Sequence, residues 1–181
     1  MVTADQLPHT VPAFREATLG ALASVLDQSL DCIKIIGLDG TLEFMNANGQ
    51  LAMEIDDFSV VAGCPWASLW PQAARGDLDA ALDLARSGAG ARFEAFCPTP
   101  KGTPRWWDVS VSPVRDDDGL IVSVISVSRD VTRQVNEAQA QTALTEEIRH
   151  RLMNCYTMAS ALTRGFARGD VELEQFARDM G

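Results

Sequence analysis

The sequence predicts an α+β fold, in which a five-stranded antiparallel sheet with flanking helices is preceded by an amphipathic helix and followed by a long helix. Three observations support this prediction. Five short segments between residues 32 and 129 have strand character and are separated by turn residues. A short helical segment lies between the second and the third of them. From Leu120 to Arg164 there is neither glycine nor proline, so a long helix can follow the last strand.

The first predicted elements are the amphipathic helix and a hairpin. Apolar residues recur at helical spacing over residues 11–30, after a loose N-terminal tail. Strands are predicted at residues 32–38 and 41–46. The Asp39-Gly40 dipeptide between them favours a tight turn, because glycine tolerates a positive φ.

The rest of the sheet is predicted after a turn-rich stretch. Residues 47–71 contain short helical pieces, and residues 77–87 form a short helix that Gly88 ends. Three more strands are predicted, at residues 91–97, 105–113 and 120–129. The last of them is apolar on both faces, so we expect one face to pack on the core and the other to be covered by the N-terminal helix or a second protomer.

The long helix is predicted over residues 131–166. Its small and apolar residues are spaced three and four apart, as in a coiled coil: Val131, Val135, Ala138, Thr142, Thr145, Ile148 and Leu152. A single helix of this length cannot bury such a stripe against a small sheet domain. We therefore expect a homodimer.

The end of the chain is expected to contain a second helix. Gly165 and Gly169 are predicted to break the long helix, and Asp170 is suited to cap a new one. Because Leu173 and Phe176 begin an apolar face there, we expect the natural chain to continue beyond residue 181.

Charge and composition exclude several classes of function. The 15 basic and 25 acidic residues give a net charge of −10, which disfavours binding to nucleic acid or to an anionic membrane surface. The four cysteines form no CxxC pair, so no metal site is expected. The N-terminus does not resemble a signal peptide, and the longest apolar run is too short to span a bilayer. We therefore expect a cytoplasmic protein without membrane insertion.

Three motifs carry a family resemblance. They are GLDGTLEFMNANG at residues 37–49, GCPWASLWP at residues 63–71, and the triplet DVT at residues 130–132. Their order and spacing resemble the PAS sensor fold over about residues 28–132. The resemblance implies that Asp130 and Thr132 relay a signal into the helix that follows.

This resemblance divides the chain into three parts. Residues 1–27 form the N-terminal tail and amphipathic helix, and residues 28–132 form the PAS sensor domain. Residues 133–181 form a signalling helix and part of a dimerisation and phosphoacceptor region.

The stretch EEIRHRLMNCYTMASALTRGF, residues 146–166, resembles the phosphoacceptor box of HWE and closely related bacterial histidine kinases. The family pattern is Glu-x-x-His-Arg-x-x-Asn, and Glu147, His150, Arg151 and Asn154 match it. Met153 stands where the family usually has lysine. The resemblance implies that His150 accepts the phosphoryl group.

The four matching residues lie on one face of a helix, because their spacing is i, i+3, i+4 and i+7. A neutral imidazole can attack a phosphoryl group when a neighbour fixes its tautomer and stabilises its charge, and Glu147 is suited to both tasks. Asn154 can orient the ring, and Arg151 can pair with Glu147 or with the phosphoryl group. The alternative is a solvated helix face with an incidental histidine.

The combined resemblance implies the sensory and phosphoacceptor portion of a two-component sensor histidine kinase. In the parent protein, ATP and Mg²⁺ would bind to a domain absent from these 181 residues, so we expect this segment to be inactive alone and to need no cofactor of its own. A response regulator would receive the phosphoryl group. Two alternatives are a non-catalytic PAS dimerisation module and a ligand-binding PAS receptor with another output.

A pocket inside the PAS domain would use Trp66, Trp70, Trp107 and Cys97. The alternative, which we favour, is that the tryptophans are core residues and that Cys97 is a buried structural thiol. No ligand follows from the sequence.

Two cofactors are disfavoured. The two histidines, His9 and His150, lie outside the PAS body, which disfavours a histidine-ligated haem. Trp66 stands where flavin-binding LOV domains carry their reactive cysteine, which disfavours LOV photochemistry.

Overall fold

The structure is a computed structural model of the 181-residue chain and describes residues 24–179. Most of the amphipathic helix predicted over residues 11–30 lies outside the described residues, and residues 24–27 are helical. The chain forms two compact units that divide between Arg133 and Gln134.

The first unit contains a five-stranded antiparallel sheet, as predicted. Its strands are β1 (Cys32–Ile36), β2 (Leu42–Met45), β3 (Ala91–Phe96), β4 (Trp106–Arg115) and β5 (Ile121–Asp130). Their order across the sheet is β2-β1-β5-β4-β3, so the last strand lies in the centre and pairs with the first. The segment between β2 and β3 contains α1 (Ala47–Ala52), three 3₁₀ turns and α2 (Arg75–Arg86).

Alternate residues of each strand face these helices and form the core. The inner face of β1 carries Cys32 and Ile36, and a helical segment with four buried residues covers the sheet: Leu78, Ala81, Leu82 and Ala85 of α2. On β5, Val124 is fully buried, whereas Val122 near the start of the strand is 49% exposed. Val122 and Val124 share one face of β5, so the core covers this face only beyond its first residues. Cover of the other face by the N-terminal helix or a second protomer stays a prediction.

Asn46 fastens the start of α1 to β1. Its fully buried side-chain oxygen accepts hydrogen bonds from the backbone N–H groups of Ile33 (2.9 Å) and Gly49 (3.0 Å). Its amide nitrogen donates to the carbonyl oxygens of Leu26 and Asp31. Because a Cβ at Gly49 would lie 2.7 Å from the sulfur of Cys32, this position has no room for a side chain. These contacts account for Asn46 and Gly49 within the first motif.

The second unit contains the long helix except for its first two residues, which belong to the first unit. Helix α3 runs without interruption from Thr132 to Asp179, 48 residues. The predictions that Gly165 and Gly169 break it and that Asp170 begins a second helix are therefore wrong. A glycine within a helix costs only about 1 kcal/mol relative to alanine, and no proline is present in the stretch to end the helix.

Candidate functional site

The first candidate site lies on α3 and contains the four residues of the phosphoacceptor pattern. All four are exposed. The Glu147 carboxylate forms a salt bridge with the Arg151 guanidinium. The side-chain nitrogen of Asn154 lies 3.5 Å from Nδ1 of His150. The structure therefore brings the four residues together as two adjacent pairs on one helix face.

The contact with Asn154 determines which ring nitrogen of His150 carries the proton. With the amide nitrogen of Asn154 donating to Nδ1, Nδ1 is an acceptor and a neutral ring carries its proton on Nε2. If the amide turned by 180°, its oxygen would accept from Nδ1–H and leave the lone pair of Nε2 free to attack. Glu147 is engaged by Arg151 and would have to leave that pair to contact the imidazole.

The second candidate site is the junction between β5 and α3, around Asp130. One carboxylate oxygen of Asp130 accepts hydrogen bonds from the backbone N–H (2.9 Å) and the hydroxyl (2.5 Å) of Thr132. The other oxygen pairs with the Arg105 guanidinium. The Thr132 hydroxyl oxygen in turn accepts from the backbone N–H of Trp106 (2.9 Å). The end of β5, the beginning of β4 and the first residue of α3 are therefore joined by one hydrogen-bonded cluster.

The electrostatics of this junction favour an ionised carboxylate. Burial raises the pKa of Asp130, but the hydrogen bonds from Thr132 and the nearby charge of Arg105 outweigh burial, so the pKa lies below its usual value. Both side chains of the ion pair are 30% exposed. The junction is therefore a partly shielded charged cluster.

The tryptophans proposed for a pocket lie in the core. Trp66 is fully buried and Trp70 is 5% exposed, and their rings meet edge to face with centroids 6.1 Å apart. Trp107 is 1% exposed, and its indole N–H donates to the carbonyl oxygen of Cys97 (3.1 Å). The neighbouring Trp106 packs against Phe96. Trp66, Trp70, Trp107 and Cys97 belong to one buried cluster.

Cys97 is a protonated, buried thiol. Burial raises its pKa to about 11, and the charge of Lys34 opposes this effect. Its sulfur donates to the carbonyl oxygen of Leu69 (3.3 Å). Because the thiolate is the reactive form, this environment supports a structural thiol rather than a redox-active one.

Sequence reasoning missed Lys34 and Arg105. Lys34 is 2% exposed on the inner face of β1. The two-residue alternation of the strand could have revealed it, because Lys34 shares its face with Cys32 and Ile36. Arg105 pairs with a residue 25 positions away, and no local pattern indicates that contact.

The described residues place limits on other chemistry. Among the side chains that the structure describes, no group of three or more His, Cys, Asp and Glu is arranged to hold a metal ion. Along the described part of the chain, no helix combines the length and the apolar character needed to cross a membrane.

Comparisons with known proteins agree with the architecture. A family model described as PAS fold matches residues 26–136. No curated protein shows significant sequence similarity to the chain. Among solved structures, a PAS domain from Colwellia psychrerythraea superposes with a TM-score of 0.57 at 16% identity, covering 64% of this chain and 98% of that one. The PAS domain of an HTR-like protein from Haloarcula marismortui gives 0.55 at 19% identity, covering 65% and 95%.

A third similar structure is larger than the chain. It is an RNA-binding Light-Oxygen-Voltage receptor, with a TM-score of 0.60 at 18% identity. The match covers 83% of this chain but 42% of the receptor. At these identities the likeness concerns the fold.

The ionised Asp130 at the junction predicts that the free energy of unfolding depends on pH. In wild type, the stabilisation from ionised Asp130 is fully present above its unfolded pKa of about 4 and is lost as the pH falls through the lower folded pKa. Asp130→Asn should therefore reduce the free energy of unfolding by about 1–3 kcal/mol at neutral pH. The difference from wild type should shrink below about pH 4. Urea unfolding of both proteins across this range measures it.

Asp56→Asn is the matched control, because Asp56 pairs with Lys101 on the surface and its side chain is 82% exposed. It should change the free energy of unfolding by less than about 1 kcal/mol. A stability difference for Asp130→Asn that stays constant down to the acid transition would contradict the account of the junction.

Proposed function

The chain belongs to the PAS fold family, and we propose that it is the sensory and phosphoacceptor portion of a bacterial two-component sensor histidine kinase, with His150 as the phosphoacceptor. The observation that carries the proposal is the arrangement on α3. There, His150 lies beside Asn154, and the Glu147–Arg151 pair occupies the same exposed helix face. This helix begins directly at the end of the PAS sheet.

The proposed chemistry is phosphoryl transfer to the imidazole. Nε2 attacks the γ-phosphorus of ATP, and the bond to the β,γ-bridging oxygen breaks so that ADP leaves. This attack needs the tautomer with its proton on Nδ1, which the turned Asn154 amide would favour. The ring becomes cationic as the P–N bond forms, and Glu147, one turn before His150, would leave Arg151 to stabilise the charge and take up the Nδ1 proton. Arg151 can then stabilise the phosphoryl oxygens.

The remaining machinery belongs to other domains and proteins. ATP and Mg²⁺ would bind in a separate ATP-binding domain of the parent kinase. A response regulator would receive the phosphoryl group on an aspartate. The chain studied alone is therefore proposed to be a phosphoacceptor without autokinase activity.

The Asp130 junction provides the proposed relay. A change inside the PAS domain that moves β5 or β4 would alter the hydrogen bonds to Thr132, the first residue of α3. Because α3 is continuous from Thr132 through His150, a change at its beginning can be transmitted along the helix. Access of His150 to the ATP-binding domain would then depend on the sensory state.

We further propose that α3 forms a homodimer with its counterpart in a second protomer. Leu144, Ile148 and Leu152 lie four residues apart on one face of α3 and are 58%, 51% and 66% exposed. Apolar side chains at this spacing form the stripe along which helices associate. Pairing two copies would remove this stripe from water.

The role of His150 can be tested in the full-length parent kinase with radiolabelled ATP. His150→Gln should abolish the label, because glutamine has no imidazole nitrogen to phosphorylate. His9→Gln is the matched control, since it removes the other histidine of the chain and should leave labelling unchanged. The label on wild type should be lost in acid and stable in base.

The alternative of a non-catalytic PAS module makes the opposite prediction. Wild type would then remain unlabelled under all conditions while its dimer stays intact. Equal labelling of wild type and His150→Gln would also reject His150 as the phosphoacceptor.

Dimerisation can be tested by sedimentation velocity of the chain. Ile148→Glu should convert the dimer to a monomer, because two carboxylates would face each other across an apolar interface. Met153→Glu introduces the same charge at a 64% exposed position near the opposite side of the helix and should leave the dimer intact. A monomeric wild type, or equal effects of the two substitutions, would contradict the interface.

A further inference from the structure

Strand β3 forms one edge of the sheet, because it pairs with β4 on one side only. An edge strand presents unpaired backbone N–H and C=O groups, to which another strand can bond. Proteins often protect such edges with proline, lysine, a β-bulge or a very short strand. Strand β3 has six residues, none of them proline or lysine, and it pairs with β4 in one register along its whole length. Its free edge, the side that faces away from β4, therefore lacks these protections.

The hydrogen-bond pattern shows which residues of β3 point their backbone groups to the free edge. The N–H of Cys97 donates to the carbonyl oxygen of Arg105 (2.9 Å), and these two residues continue the β3–β4 register. In an antiparallel ladder, pairs that exchange hydrogen bonds alternate with pairs that do not. Every second residue before Cys97 therefore bonds to β4, whereas Arg92, Glu94 and Phe96 direct their N–H and C=O groups away from it.

Two exposed side chains of opposite charge accompany these outward-facing backbone groups. The Arg92 guanidinium forms a salt bridge with Asp108 on β4, yet the side chain remains 71% exposed. The Glu94 carboxylate is exposed and forms no salt bridge among the described residues. It lies opposite Asp108 in the β3–β4 ladder, and like charges in this position are unfavourable. A cation on the other side of Glu94 would therefore be favourable.

We propose that two copies of the chain pair antiparallel through β3, about a two-fold axis at Phe93. In this register, Arg92 lies opposite Glu94 of the partner subunit, and symmetry repeats the contact with the roles exchanged. Both members of each pair direct their backbone groups to the free edge, so each pair exchanges two N–H···O=C bonds. Backbone hydrogen bonds and two cross-strand ion pairs thus join the two copies.

Charge and side-chain size favour this register over its neighbours. Moving one hydrogen-bonded step either way would place Arg92 opposite Arg92 of the partner subunit, or Glu94 opposite Glu94 of the partner subunit. Like charges directly opposite each other destabilise a ladder. In the proposed register, Phe96, which is 39% exposed, lies opposite the exposed Gly90 of the partner subunit, where no side chain obstructs the ring. The stretch Arg-Phe-Glu at residues 92–94 therefore specifies one antiparallel pairing with itself.

This contact is separate from the apolar stripe of α3 and smaller than a standard protein interface. It involves one strand of each copy, which places it among the weak and transient contacts. It should be populated at high concentration and be sparse at the low micromolar concentrations at which pairing through α3 is measured. The inference does not depend on phosphoryl transfer, so failure of the kinase proposal would leave it unaffected.

The test uses the full chain carrying Ile148→Glu, which removes pairing through α3. Sedimentation equilibrium at about 10–500 µM should show reversible dimerisation. Adding Glu94→Arg should weaken association by about tenfold or more, because two pairs of like charges would face each other. Asp117→Arg makes the same charge change in the exposed β4–β5 turn and should leave association unchanged. Combining Arg92→Glu with Glu94→Arg restores opposite charges and should recover the affinity to within about threefold.

A monomer at every concentration, equal effects of Glu94→Arg and Asp117→Arg, or no recovery in the double reversal would overturn the proposal. Hydrogen exchange of the Ile148→Glu protein locates the contact independently. The amides of Arg92 and Glu94 should exchange more slowly at about 500 µM than at about 10 µM. The amide of Phe93, which bonds to β4, should not change. Concentration-dependent protection only at other amides would show that the copies meet elsewhere and would contradict pairing through β3.

Discussion

Asp130 ends the central strand of the sheet, and its carboxylate accepts hydrogen bonds from Thr132 while it pairs with Arg105. Since Thr132 also accepts from the N–H of Trp106, this one charged group constrains β5, β4 and the start of α3 together. Strand β5 lies in the centre of the sheet and pairs with both β1 and β4. In the proposed sensor, this central position would let a change on β1 or β4 act on the strand that leads to α3.

The long helix differs from the sheet domain in the apolar surface that it leaves exposed. The sheet domain buries its own core, whereas α3 leaves a stripe of large apolar residues and the four-residue pattern around His150 exposed. The apolar stripe and the histidine lie on different parts of the helix circumference, so pairing of two helices is compatible with an accessible imidazole. One helix can therefore serve both dimerisation and phosphoryl acceptance in the proposed kinase.

Much of the fold was predictable because its signals are local. The Asp39-Gly40 turn and the alternation within the strands placed all five strands to within two residues at every end. The Glu147–Arg151 pair followed from i, i+4 spacing. The break at Gly165 was predicted wrongly, because a glycine weakens a helix without preventing it from continuing. Contacts between distant positions carry no local signal, so Arg105 was missed, and Lys34 was missed because a charged residue in a strand is normally assigned to the solvent face.

Hydrogen exchange of individual amides in Asp130→Ala, compared with wild type, tests most directly the claim that Asp130 holds the helix to the sheet. Asp31→Ala is the control, since Asp31 pairs with Arg129 on the same strand without contacting Thr132 in any hydrogen bond described. In Asp130→Ala, the amides of Thr132 and Trp106 should exchange faster by about tenfold or more, because both depend on the cluster. In Asp31→Ala, these two amides should exchange as in wild type. Unchanged exchange of both amides in Asp130→Ala would contradict the claim that this carboxylate joins the sensor sheet to the helix that carries His150.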